Sequence, residues 1–238
     1  MAGGYQTWPL VRFSVIGDAW RLYKQHWIVW SLAMLIVMTG YSIGAGILFA
    51  VFDLGHARGP GGFRQFFSPG GPVAPFFVST VVSSIFLGGM IRMASNQLRG
   101  RAPRVEDLLT VGDVWFDLVL VSILNAAATS IGFMFCAIPG FIVSGLFMLA
   151  IPLVVESRLP ATGAIIQSWN ALKSQWLVAA VFHCVLILLA VSGAVLCGVG
   201  IFLTGPLYCL SIAVVYREFF PATAFGSWKK HAEPFPEV

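Results

Sequence analysis

Charge is what this sequence has least of. Only 10% of its 238 residues are Asp, Glu, Lys or Arg, against roughly 25% in an average soluble domain. Apolar residues make up 58%, and the mean hydropathy is +0.86. So few charges cannot cover a water-facing surface of this size, which excludes an ordinary soluble enzyme or carrier. Cysteine is scarce too. Cys136, Cys184, Cys197 and Cys209 lie in apolar runs without C-x-x-C spacing, which excludes a disulfide framework and a zinc site. No H-E-x-x-H helix, no paired intramembrane carboxylates and no nucleophile beside a base are present. No catalytic, cofactor-binding or metal-ligating residue is therefore expected, and the chain is expected not to be an enzyme. Met1 to Phe13 lacks the charged, apolar and small-residue order of a cleaved signal peptide.

What the chain does have is long apolar runs. A membrane-crossing helix needs about 20 mostly apolar residues to cover about 30 Å of hydrocarbon. Six runs approach this: 27–52, 73–91, 115–138, 141–155, 176–196 and 201–220. The expected fold is all-α and polytopic, with six transmembrane helices arranged as three hairpins and a tail over 221–238. The net charge of +4 tests the arrangement. With the N-terminus inside, the inner segments hold Arg12, Arg21, Lys24, Arg92, Arg99, Arg101, Arg104, Arg158, Lys173, Arg217, Lys229 and Lys230, and the outer side keeps only Arg58 and Arg64. The positive-inside rule then places both termini in the cytoplasm. This basicity orients a membrane protein and gives no reason to expect a nucleic-acid partner. The fourth run is short, and its outer end is expected to be a turn at Pro139-Gly140.

Phe13, Ile16, Trp20, Tyr23 and Trp27 recur at helical spacing ahead of the first run. They predict an amphipathic helix over 11–26 on the inner surface. Trp20, Lys24 and Trp27 form a W-x-x-x-K-x-x-W pattern that returns as Trp169, Lys173 and Trp176 before the fifth run. Residues at i, i+4 and i+7 share a face, so both rings can sit at headgroup level while the amine reaches for phosphate. A fainter copy, Val111-Gly112-Asp113-Val114-Trp115 against Ile16-Gly17-Asp18-Ala19-Trp20, predicts a third surface helix before the third run. Arg99, Arg101 and Arg104 add a basic cluster suited to anionic headgroups. Between the first two runs lies a loop rich in Gly and Pro that carries Phe63, Phe66 and Phe67, an expected interfacial or partner contact.

From about Gly88 to Phe220 the chain carries Leu98-Arg99-Gly100-Arg101 with Glu106-Asp107-Leu108-Leu109, then Ile138-Pro139-Gly140-Phe141-Ile142-Val143. Ala150-Ile151-Pro152-Leu153-Val154-Val155-Glu156, Ala164 to Ser168, Leu172-Lys173, Pro206 and Tyr216 follow. In these residues it resembles a bacterial family of six-helix integral membrane proteins typified by YciC. The same kind of module is fused in front of some glycerophosphodiester phosphodiesterases as their membrane domain. The resemblance implies a bacterial inner-membrane fold rather than an activity, and this chain has no segment for a phosphodiesterase domain.

Two functions fit these features. The first is a non-catalytic scaffold or accessory subunit that binds membrane lipids, membrane-protein partners or a second copy of itself. The alternative is a small permease for a neutral or amphiphilic solute, with Asn125, His183 and Glu156 as its polar pathway.

Overall fold

The computed structural model describes residues 10–56, 73–195 and 200–221. The Phe63, Phe66 and Phe67 loop, Cys197 and the tail from 222 onward lie outside the described residues. Among the described residues every regular element is helical, as the all-α expectation requires. The helices are α1 (Ser14–Gln25), α2 (Trp27–His56), α3 (Val73–Leu98), α4 (Trp115–Phe135), α5 (Ala137–Leu146), α6 (Ala150–Ser157), α7 (Ala161–Leu172), α8 (Trp176–Val195) and α9 (Ile201–Phe219). Short 3-10 segments cover Val105–Asp113 and Lys173–Gln175.

The six crossings in three hairpins are overturned. Among the described residues, five stretches are long and apolar enough to cross a membrane: Trp27–Gly44, Trp115–Phe135, Ala137–Ser157, Ala161–Gly193 and Ile201–Phe219. The chain is a polytopic, all-helical membrane protein, but the run at 73–91 is not among these five. It falls in α3, which packs against α2, α4, α6, α9 and the first 3-10 segment. In its buried and half-buried part, α3 carries Ser84, Arg92, Ser95 and Gln97, small or hydrogen-bonding groups that suit helix contacts better than lipid. Its closeness to neighbours is extreme at Gly89, where an added Cβ would lie 2.6 Å from the Cα of Leu108.

Two further expectations change. Pro139 and Gly140 do not form the reversal; they lie inside α5, with proline in the first turn, where its missing N–H costs nothing. The chain reverses at the extended Cys136. α5 and α6 are separated by a short break at 147–149, so the short fourth run becomes the 21-residue stretch Ala137–Ser157. The surface helices expected before the third and fifth runs also differ. The first is the 3-10 segment Val105–Asp113, with Leu108 and Val111 buried. The second, α7, runs through one 3-10 turn into α8, so that Ala161–Gly193 is a single apolar stretch.

Burial sorts the helices into inner and outer. In the most apolar 18-residue windows of Ala137–Ser157 and Ile201–Phe219, 61% of the residues are buried, against 22% in Trp27–Gly44 and 17% in that of Trp115–Phe135. α9 and the α5–α6 pair are therefore central, while α2 and α4 turn broad apolar faces outward. Ile28, Leu32, Leu35, Phe116 and Ile131 are exposed on those faces. α1 buries Val15, Ala19 and Tyr23, one stripe at i, i+4 and i+8, against α9.

Candidate functional site: the charged end and an apolar recess

The end of α3, the start of α4, the end of α6 and the end of α9 meet at one end of the bundle. Four consecutive residues closing α6 each bond a different group there. The Val155 carbonyl accepts from Arg92 Nη2 at 3.0 Å. Glu156, with its side chain only 3% exposed, pairs with Arg99 of α3. The Ser157 hydroxyl shares a 2.8 Å hydrogen bond with Tyr216 Oη of α9. Arg158, in the left-handed region at φ 52°, pairs with Asp113 at 2.7 Å. Arg92 closes the set by donating to Asp113 Oδ1 at 3.1 Å and to the Thr110 carbonyl. Burial alone would raise the Asp113 carboxyl, yet the hydrogen bond and charge of Arg92, its own backbone N–H and the charge of Arg158 together hold it below its ordinary value.

The space beside this network is slight. A cavity of about 10 Å³ touches Ser95, Arg99, Glu156 and Tyr216, room for about one water and too small for an organic substrate. The arrangement ties helix ends together: each cation meets an acid or a carbonyl of another element.

The expected basic trio is divided by this geometry. Arg99 enters the bundle, while Arg101 and Arg104 stay exposed after the turn at Gly100. Arg104 donates its backbone N–H to Asp107 Oδ2 at 3.2 Å, which starts the 3-10 segment.

The two W-x-x-x-K-x-x-W copies occupy similar junctions. In each, a short helix ends and the second Trp opens the next helix: Trp27 begins α2 and Trp176 begins α8. All four rings, Trp20, Trp27, Trp169 and Trp176, are exposed on the surface. Lys24 Nζ lies 6.0 Å from the Trp20 ring centroid, and Lys173 bonds Asn170 at 2.9 Å. The second junction also meets the segment ahead of α1, since Gln175 Oε1 accepts from the N–H of Val11 at 3.0 Å.

The polar-pathway residues are not joined. Asn125 accepts from Thr129 of its own helix at 3.4 Å, and Glu156 is held by Arg99. His183 is buried with Nδ1 unpartnered, its ring tilted against Tyr208 at 6.0 Å between centroids.

Other residues of the site carry little sequence signal. Trp30, fully buried, donates Nε1–H to Gln97 Oε1 at 2.8 Å, and Gln97 Nε2 donates to the Leu22 carbonyl at 2.7 Å. This clamp joins α1, α2 and α3. Asp117, in the first turn of α4, accepts the N–H of Ala161 at 3.1 Å and so caps α7. Both pairings span long sequence separations, and no local spacing announces them.

Above the clamp, between α2, α3, α8 and α9, lies a half-open recess of about 430 Å³. Its walls include Met34, Met38, Phe86, Met90, Ala190 and Tyr208. The lining is almost wholly apolar.

Neither family models, nor curated proteins, nor solved structures match the chain. The resemblance to YciC-like proteins rests on the quoted motifs alone.

Proposed function

We propose that the chain is a non-catalytic scaffold or accessory subunit of a bacterial inner membrane, binding lipid and protein partners through its helix faces. The observation that carries this reading is the use made of the charges. Arg92, Arg99, Arg158, Asp113 and Glu156 are consumed in ties between helix ends, and the one large recess described above is apolar. Charges spent in this way brace a bundle, and the apolar faces of α2 and α4 are left for lipid or for another membrane helix.

The charged end is proposed to be cytoplasmic, by the positive-inside rule. Arg12, ahead of α1, pairs with Glu218 at the end of α9 at 2.6 Å, so both ends of the described chain share that side. In a cysteine-free background, Arg101→Cys is expected to react with a membrane-impermeant maleimide only after the membrane is opened. Labelling in intact cells would reverse the orientation.

Purification from native membranes in mild detergent tests the function. A larger assembly, or lipid retained in fixed ratio, is expected; a lipid-free monodisperse monomer refutes the reading. The permease reading keeps one observation, the buried and unpartnered Nδ1 of His183. It requires solute flux into proteoliposomes that His183→Leu abolishes.

A further inference from the structure

Among the described residues no group of three His, Cys, Asp or Glu side chains is placed to hold a metal ion. The recess between α2, α3, α8 and α9 offers a different donor, sulfur. Met34 and Met38 of α2, Met90 of α3 and Cys209 of α9 all border it. Three of the chain's seven methionines thus meet a thiol around one space.

Packing does not account for them. Methionine serves in cores because its flexible thioether fills irregular gaps, yet these three surround a space of about 430 Å³ that they leave open. Nor do they lie out in the lipid. Met34, Met90 and Cys209 are 6%, 3% and 2% exposed, and the recess is what they border. The backbone makes room for one sulfur in particular. Gly205 of α9 has no side chain, and a Cβ there would lie 2.9 Å from Met34 Sδ. Gly205 and Cys209 are one turn apart on the same face of α9, with about 5–6 Å between their Cβ positions. Met34 Sδ is therefore within about 9 Å of the Cys209 Cβ, a separation that the three side-chain torsions of methionine and the rotation of the thiol can close. Met38 follows Met34 by one turn of α2. Met90 approaches from α3, which lies so close to α2 that a Cβ on Gly40 would meet the Phe86 ring at 2.7 Å, one turn from Met90.

Thioether and thiolate sulfurs are soft ligands that select monovalent copper over harder divalent ions. The thiolate is the ligand form of cysteine, so Cu(I) and the Cys209 thiol give a Cu–S bond and one released proton. One positive charge enters as another leaves, and the filled recess stays neutral, as apolar walls require.

We propose that this recess is a site for one Cu(I) ion, held by the thioethers of Met34, Met38 and Met90 and by Cys209 as thiolate. The site goes beyond the scaffold reading and does not depend on it.

The test uses the full chain in dodecyl maltoside with Cys136→Ser, Cys184→Ser and Cys197→Ser, so that of the four cysteines only Cys209 is left. Cu(I), kept reduced by ascorbate, is titrated in against bicinchoninate. One ion per chain is expected to be drawn from the chelator, with a sulfur-only first shell by X-ray absorption, and Zn(II) at the same concentration should not compete. Met34→Leu, Met90→Leu and Cys209→Ser should each weaken binding at least about tenfold, with volume nearly kept. Met148→Leu, buried outside the recess, should change nothing. Because one proton is released, affinity should rise about tenfold per pH unit between about pH 6 and pH 7.5, and Cys209→Ser should lose that slope. Thermal melts identify a variant that fails to fold, and Met38→Leu then takes the place of Met34→Leu. No copper drawn from bicinchoninate, oxygen or nitrogen in the first shell, or affinity unchanged by the recess substitutions overturns the site. Copper lost instead with Met134→Leu marks adventitious binding at an exposed thioether and overturns it equally.

Discussion

Glu156 has its side chain buried at the end of a membrane-spanning stretch, and Arg99 is the cation that meets it. A buried carboxylate stripped of its partner costs far more than the pair contributes over an apolar replacement. Arg99→Met is therefore expected to destabilise the protein by about 3–5 kcal/mol, read by thermal unfolding in mild detergent. Adding Glu156→Met should recover most of that loss, and a double variant as unstable as the single one would show that the pair does not act as a unit. The Trp30–Gln97 clamp gives a second prediction at this scale. Gln97→Leu leaves the indole N–H and the Leu22 carbonyl unmatched in a buried place, at an expected cost of about 1–3 kcal/mol for each group left unsatisfied. Trp30→Phe together with Gln97→Leu should lose less than twice the single value, since the orphaned indole donor is gone. Neither residue stands out in the sequence, where Trp30 is one more aromatic in a greasy run and Gln97 one more polar residue at its end. Their partners lie 67 and 75 positions away.

At the scale of the element, α3 shows why apolarity alone misplaces a helix. It packs against four other helices and the first 3-10 segment, and Gly88 and Gly89 let neighbours approach rather than let the backbone turn. Gly89→Ala would drive a Cβ into the Leu108 backbone, which no rotamer change can relieve, so α3 and the 3-10 segment must separate. Gly44→Ala meets nothing within 4 Å and should be neutral or stabilising by up to about 1 kcal/mol, the ordinary helix preference of Ala over Gly. Comparing the two by circular dichroism melting separates close packing from helix propensity; equal effects would refute the packing argument. The W-x-x-x-K-x-x-W copies are the opposite case. Trp20, Lys24 and Trp27, with their copies Trp169, Lys173 and Trp176, each lie within eight residues, so their shared helical spacing is a local property. The Pro139-Gly140 turn was misread for the same reason. Both residues favour turns, but proline is equally at home in a helix's first turn, and only the packing of Gly140 beside Gly132 and Phe133 decides which.

For the whole molecule, the charged end acts as a brace that depends on pH. The Asp113 carboxyl is held below its ordinary value in the folded protein. A depressed carboxyl contributes stability that is fully present above the unfolded value near 4 and is lost as pH falls through the folded one. Unfolding followed from pH 6 down to pH 2 should therefore show stability falling below about pH 4. Asp113→Asn should flatten that acid limb, and an unchanged limb would mean that other carboxyls set it. Because Asp113 is partly exposed and flanked by an exposed Arg158, solvent screening keeps its share modest.

The sequence by itself determined the solvent of this protein and the class of its elements. Composition and run length are sums over residues, and the bilayer accepts only helices or closed barrels from such runs. It also determined the helical spacing of the two W-x-x-x-K-x-x-W copies, because each is contained within eight consecutive residues. Tertiary structure alone decided that α3 packs against four other helices, that Val155 to Arg158 form a hub, and that α2, α3, α8 and α9 border an apolar recess. Those features depend on contacts such as Arg12 with Glu218 and Arg99 with Glu156, 206 and 57 positions apart. In a chain with so few charges, which acid meets which cation is set by how the helices pack, and helix packing in a membrane follows shape and small-residue contacts rather than any local pattern.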